Sequence, residues 1–200
     1  MSEFDAIADD LHAQGWSLRM NFLTAAQVDA LQGAVPAGEG LAPAGVGRGS
    51  ALQRDDSIRG DSIRWLDVEH VAEREYLALM DRLRLSLNQR LLLGLFDYEA
   101  HFARYAAGDF YQRHVDAFRQ TGLDNKPRRV LTSVVYLNAQ WTPADGGELV
   151  VWDHAGNQVL RVEPRAGAAI FFMSDEFPHE VLPASRERLS IAGWFRRRGS

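Results

Sequence analysis

RVLTSVVYLN, residues 129–138, is a run of β-branched and aromatic side chains that carries no proline, no glycine and no charge after Arg129, the composition of a β-strand. Six further segments of the same kind lie around it: YEAHFARYA (98–106), ELVVWD (148–153), QVLRVEP (158–164), AAIFFM (168–173), EVLPA (180–184) and LSIAGWF (189–195). Turn sequences separate them, among them DGG at 145–147, HAGN at 154–157 and PRAG at 164–167. Many short strands at close spacing predict a sandwich, a barrel or a jelly roll, with any helices packed outside it.

The first half of the chain reads differently. Phe4, Ile7, Ala8 and Leu11 recur at helical spacing ahead of Gly15, and Thr24 with Gln27 forms a capping box before Val28 and Leu31, so two short helices are predicted there. Residues 34–50 are rich in glycine, alanine and proline and predict a surface loop. From 71 to about 93, Leu79, Met80, Leu83, Leu87 and Leu91 mark a long amphipathic helix that needs a sheet to cover. The whole is expected to be one domain over 1–200, with 1–97 mainly helical support plus a substrate loop and 98–196 the catalytic core.

Composition narrows the chemistry. The chain has 22 Lys+Arg against 27 Asp+Glu, a formal charge of −5, which is not the electrostatic footprint of a nucleic-acid or anionic-membrane protein. No stretch approaches the ~20 apolar residues of a membrane span, and the acidic N-terminus lacks the basic and apolar regions of a signal peptide, so a cytoplasmic protein is expected. With no cysteine, any metal must be held by histidine and carboxylate.

His114-Val115-Asp116 supplies such a pair, since positions i and i+2 of an extended segment project from one face. An imidazole and a carboxylate suit iron, manganese or zinc. His179 is the best third ligand, at the start of a later strand that a β-barrel could bring opposite the pair. Two histidines and one carboxylate make the facial triad that leaves coordination positions open on Fe(II). Arg188 heads the next strand beyond the reversal LPASRE, so it can lie on the antiparallel neighbour of His179. A guanidinium facing inward beside a metal needs an anion, which points to a dicarboxylate with one end on the metal and the other on the arginine. Two other readings of the same residues remain open. A zinc hydrolase could use the triad with a metal-bound water, but Arg188 would then lack a purpose. A non-catalytic ligand-binding jelly roll would not require two histidines and an aspartate facing inward.

The pattern His114-x-Asp116, His179, Arg188 resembles that of the 2-oxoglutarate- and Fe(II)-dependent oxygenases, and in particular the hypoxia-inducible-factor type of prolyl hydroxylase in its short bacterial form. The resemblance extends through IRGDSIRWL (58–66), ARYAAGDFYQRHVD (103–116), SVVYLNAQW (133–141), GGELVVW (146–152) and FFMSDEFPHEVLPASRERLSIAGW (171–194). It implies an all-β core with flanking helices in the form of a double-stranded β-helix, the cupin-like jelly roll. It also implies iron bound by His114, Asp116 and His179, and 2-oxoglutarate bound by Arg188 and Tyr136. Tyr105 would stand near the chelating end and the substrate, and Leu149 and Trp194 would line the pocket. Arg59, Asp61 and Trp65 fall where the family has a mobile β-hairpin loop that closes over the peptide, and Arg129 where a basic residue meets the substrate backbone. The stretch AFRQTGLDNKPR between Asp116 and Arg129 departs from the animal enzymes.

The implied reaction couples O2 and 2-oxoglutarate to hydroxyproline, succinate and CO2, with ascorbate as a reductant. The implied substrate is a protein with a proline in an exposed loop, translation elongation factor being the candidate. Oxidation of another residue or of a small molecule by the same machinery is the alternative.

Overall fold

The computed structural model describes residues 2–36, 40–45, 58–117 and 127–199. Three helices form where the spacing of apolar residues predicts them. Helix α1 is Glu3–Gln14, capped by Ser2 and Asp5 and closed by Gly15 at φ 78°, a left-handed position that favours glycine. Strand β1 (Trp16–Arg19) follows at once, then α2 (Ala25–Ala34) with the predicted capping box of Thr24 and Gln27 in place. Helix α3, Val71–Leu91, buries Tyr76, Met80, Leu83 and Leu87 along one stripe.

Between α2 and α3 run β2 (Ala42–Pro43) and β3 (Ser62–Trp65). The remaining strands are β4 (Leu95–Tyr105), β5 (Tyr111–His114), β6 (Arg128–Tyr136), β7 (Leu149–Trp152), β8 (Gln158–Val162), β9 (Ala169–Met173), β10 (His179–Val181) and β11 (Arg188–Arg197). Every predicted strand is present. They assemble into two antiparallel sheets, one of seven strands in the order β1-β9-β6-β11-β4-β3-β2 and one of four in the order β5-β10-β7-β8. This is the expected jelly roll with helices on one side.

The period-two pattern of the central strands explains the layering. In β4, Ala100 and Phe102 face the helices and join a core with Ile7, Met80, Leu83, Leu131, Phe171 and Phe195, while Ala103 and Tyr105 face the smaller sheet and pack with Val134, Tyr136, Leu149 and Phe172. The large sheet is thus covered on both faces. Burying each large apolar side chain contributes about 1.5–3 kcal/mol, which makes the helix layer the support against which the site-bearing face is held. No helix among the described residues is long and apolar enough to cross a membrane.

The structure corrects the expected neighbour of Arg188. His179 lies in β10, which is already paired on both sides by β5 and β7, so the segment after it crosses to the other sheet. There β11 runs between β4 and β6. Arg188 therefore reaches the pocket from the sheet opposite His179. The segment expected to close over the peptide has a β-hairpin form, Ser62 and Ile63 pairing with Pro43 and Ala42. Residues 50–57 lie outside the described residues, and Ser62–Trp65 is also in register with β4, Ser62 opposite Arg104 and Trp65 opposite His101. Residues 1–97 also supply β1, β2 and β3 to the large sheet in addition to helices. Most of the stretch between Asp116 and Arg129 lies outside the described residues.

Candidate active site

His114 ends β5 and His179 begins β10, and the two stand opposite one another in the register of the small sheet. Each ring is tied to its own chain in the same way. His114 Nδ1 donates to the Gln112 carbonyl at 2.8 Å and His179 Nδ1 to the Phe177 carbonyl at 3.0 Å. That assignment leaves both Nε2 atoms as lone-pair donors facing inward. They meet Asp116, with His114 Nε2 3.7 Å from Oδ1 and His179 Nε2 3.5 Å from Oδ2. Among the described residues this is the group of side chains that could hold a metal, one ligand atom from each lying within 4.8 Å of the others.

The electrostatics suit a divalent cation. Burial and the neighbouring His179 push the His114 imidazole down to about 4. Burial pushes the Asp116 carboxyl up, but His179, His114, Arg129 and Trp194 outweigh it and bring it down to about 2. At neutral pH His114 is therefore neutral and Asp116 ionised, the protonation states in which they act as ligands.

Arg188 occupies the other end of the pocket, 1% exposed. Its Nε donates to the Gly147 carbonyl at 2.9 Å and its Nη1 to Ser190 Oγ at 3.2 Å, whereas Nη2 is buried without a partner among the described residues. Its Cζ lies 5.1 Å from the Tyr105 ring centre and 5.2 Å from that of Tyr136. The Tyr136 hydroxyl is likewise buried and unpartnered among the described residues. Burial pushes it up to about 12 and raises Tyr105 further, so both phenols stay protonated and can donate. Gly147, at φ +71°, gives the arginine room, since a Cβ there would come within 3.3 Å of Arg188 Cδ. Leu149 is buried in the same core cluster as Tyr105 and Tyr136. A buried cation with an orphaned donor beside an orphaned hydroxyl fits a carboxylate ligand.

The remaining expected residues gather at the mouth. Arg59 and Asp61 form a two-pronged ion pair at 2.7 and 2.6 Å, with the Asp61 side chain fully buried. Arg59 lies 4.4 Å over the Tyr111 ring, and Tyr111 stacks on His114 at 3.6 Å between centroids and 17° between planes. Trp65, half exposed, stands edge-on to His101 at 5.1 Å and 6.5 Å from Trp194, and the Arg129 guanidinium lies 3.5 Å over the Trp194 ring.

Two of these neighbours were not anticipated. Tyr111 and His114 are three apart and would face opposite ways in a regular strand. The register shift between the His179 and Val181 pairs brings them together, and nothing in the sequence marks it. His101 is buried between Trp65 and Trp194, and its place in the YEAHFARYA alternation with Ala103 and Tyr105 is the sequence signal for it.

The 2OG-Fe(II) oxygenase superfamily profile matches residues 100–196. Among solved structures, the chain is similar to a prolyl-4-hydroxylase of Pseudomonas putida, with 46% identity, 98% of this chain and 100% of that one covered, and a TM-score of 0.85. It is similar to a prolyl hydroxylase of Trichoplax adhaerens, solved with a peptide fragment of the hypoxia inducible factor oxygen degradation domain, at 26% identity over 96% of this chain and 88% of that one, with a TM-score of 0.77. A curated relative, the hypoxia-inducible factor prolyl hydroxylase of Caenorhabditis elegans, is 36% identical over 90 residues, which is 44% of this chain and 12% of that protein's length. A metal-competent His-Asp-His group, a buried arginine fit for a carboxylate and these likenesses agree, and the chain belongs to the 2OG-Fe(II) oxygenase superfamily.

Proposed function

We propose that the protein is a peptidyl-prolyl hydroxylase in which His114, Asp116 and His179 hold Fe(II) and Arg188 with Tyr136 holds the distal carboxylate of 2-oxoglutarate. The observation that carries the reading is the buried Arg188: a cation with no carboxylate in contact among the described residues, facing the pocket from the sheet opposite His179. When bound, Fe(II) and 2-oxoglutarate supply the oxidising chemistry, in which one atom of O2 leaves in succinate, alongside CO2, and the other becomes the prolyl hydroxyl.

The chain's own residues bind, orient and shield. The fixed Nε2 faces of the two histidines and the ionised Asp116 set the metal in one place. Arg188, Tyr136 and Leu149 orient the keto acid toward it, and Tyr105 stands beside its path. Trp65 offers an exposed flat apolar surface at the mouth, suited to a pyrrolidine ring, with Trp194 buried behind it, and Arg59, held in place by Asp61, and Arg129 are the donors nearest a flanking peptide. Closing such a mouth with a polypeptide excludes water from the reacting centre.

The substrate is a protein with a proline in an exposed loop, translation elongation factor being the candidate. The Trichoplax relative, solved with a peptide fragment, supports a polypeptide over a small molecule. The protein works in the cytoplasm, with ascorbate keeping the iron reduced, and folds as one unit over 1–200. The test is anaerobic loading with Fe(II) and 2-oxoglutarate, then exposure to O2 with proline-containing peptides. Succinate formation and a peptide heavier by one oxygen atom are expected. Turnover with Zn(II) in place of Fe(II), without consumption of 2-oxoglutarate, would instead establish a hydrolase.

A further inference from the structure

Of the three candidate ligands, Asp116 has the weakest backbone support. His114 and His179 lie in paired strands, whereas Asp116 stands in a bend beyond β5. A carboxylate rotates over a broad range about its Cβ–Cγ bond, so a ligand in that setting needs something else to fix its plane.

The large sheet provides it. Thr132 Oγ1 donates to Asp116 Oδ2 at 2.8 Å and lies 2.9 Å from Ser174 Oγ. The single threonine proton goes to the carboxylate, so Ser174 must be the donor in the second bond. Both hydroxyls are buried, Thr132 to 1% and Ser174 to 0% exposure. Ser174 is itself fixed at both ends of its peptide: its N–H donates to the Val130 carbonyl and its carbonyl accepts from the Ala117 N–H, the residue after Asp116. Thr132 sits in β6 opposite Trp194 on one side and Phe172 on the other, in a row of otherwise apolar side chains. Valine has the same shape and would fill that place without desolvating a hydroxyl.

We propose that Thr132, oriented by Ser174, is a positioning residue that holds the Asp116 carboxylate in its metal-binding orientation and so sets metal affinity. The proposal rests on the assignment of His114, Asp116 and His179 as the metal ligands. Partners of this kind typically govern 10- to 100-fold in metal affinity.

The experiment uses Mn(II) alone, titrated into the full-length apoprotein and followed by the electron paramagnetic resonance of the free ion, with Co(II) absorption bands as a second readout. Thr132→Val should weaken Mn(II) binding by roughly 10- to 100-fold and shift the Co(II) bands. Thr132→Ser, which keeps the hydroxyl, should recover most of the affinity, and Ser174→Ala should fall between. Equal affinity in Thr132→Val and the parent, or no advantage of Thr132→Ser over Thr132→Val, overturns the role. If Thr132→Val does not fold, Ser174→Ala binding as tightly as the parent overturns it. A parent that binds no Mn(II) overturns the triad assignment, and this proposal with it.

Discussion

Arg188 and Tyr136 share one deficiency: the guanidinium lies 5.2 Å from the phenol ring, and each residue keeps a buried polar atom, Nη2 and the hydroxyl, without a partner among the described residues. The two reach this place from paired strands, Ser190 of β11 standing opposite Tyr136 of β6. Burying a charge with neither counter-charge nor full hydrogen bonding is costly. An arriving carboxylate removes both shortfalls at once, so its binding is favoured by relief of the protein as well as by direct attraction.

Replacing Arg188 with Met should therefore remove most affinity for 2-oxoglutarate. Loss of a buried charge-assisted pair costs on the order of 2–5 kcal/mol, or about 30- to several-thousand-fold. Mn(II) affinity should change little, because Arg188 is not among the grouped ligands. Isothermal titration of the two ligands separates the effects. An unchanged dissociation constant for 2-oxoglutarate would remove Arg188 from the site.

His179→Ala should show the opposite pattern. It deletes a ligand whose ring is fixed by the Phe177 carbonyl and packed edge-on against Phe172 at 4.7 Å. Divalent metal binding should be lost at micromolar concentrations and hydroxylation abolished, while the fold persists on its two cores. Retained turnover in a metal-analysed sample would refute the triad.

The pH dependence of stability has a separate source in His101. Burial pushes this imidazole down to about 4, with Arg59 and Arg129 adding to the effect and Asp61 and the Phe102 carbonyl opposing it. Its pKa is lower folded than unfolded, so between about 4 and 6.5 the unfolded chain binds the extra proton. Folded stability is then complete above pH 6.5 and is lost as pH falls toward 4, by an amount on the order of 3 kcal/mol for this residue. Denaturant unfolding of the parent and of His101→Met at several pH values isolates it. The gap between the two proteins should move in favour of the variant on acidification, and a constant gap would exclude His101 as the source.

Much of this was legible in the chain, for reasons that also mark the limit. The strands of the second half announce themselves because both faces of the large sheet are covered, which demands apolar residues at nearly every position of β6 and β9. Helix α3 is legible because one stripe alone is buried. Strands β1, β3 and β5 are not, because they are short, partly exposed edge or near-edge strands in which WSLR, SIRW and YQRH carry no clean alternation. The metal group follows from residue types, but the sheet to which Arg188 belongs depends on which neighbours β10 already has. That is a property of pairing across the whole fold and not of the local sequence. The Thr132 hydroxyl is hidden for a related reason, since a threonine in a strand looks like any β-branched residue until its partner is known.

The segment 58–66 gives the last prediction. Its backbone is tied on three sides: Gln112 N–H donates to the Ile58 carbonyl, Gly60 N–H to the Phe110 carbonyl, and Ala44 N–H to the Asp61 carbonyl, while β3 pairs with β4 through Trp65. Asp61 is fully buried, Arg59 is its partner, and through Arg59 the pair supports Tyr111 and hence the ring of His114. A segment bonded in this way should hold its amides against exchange without any substrate, contrary to a loop that orders only on peptide binding. Asp61→Asn leaves the Arg59 guanidinium buried without its counter-charge, a change that costs about 3–5 kcal/mol when a buried pair is broken from one side. Hydrogen exchange read by mass spectrometry should show peptides over 58–66 protected in the substrate-free parent and exchanging at least about tenfold faster in Asp61→Asn, an energy of 1.4 kcal/mol per decade making that a conservative bound. The same variant should weaken Mn(II) binding modestly, because His114 loses the stack that steadies it. Exchange over 58–66 in the parent at the rate of an unstructured peptide would show that this strand forms only with substrate, as a segment that closes over the peptide would.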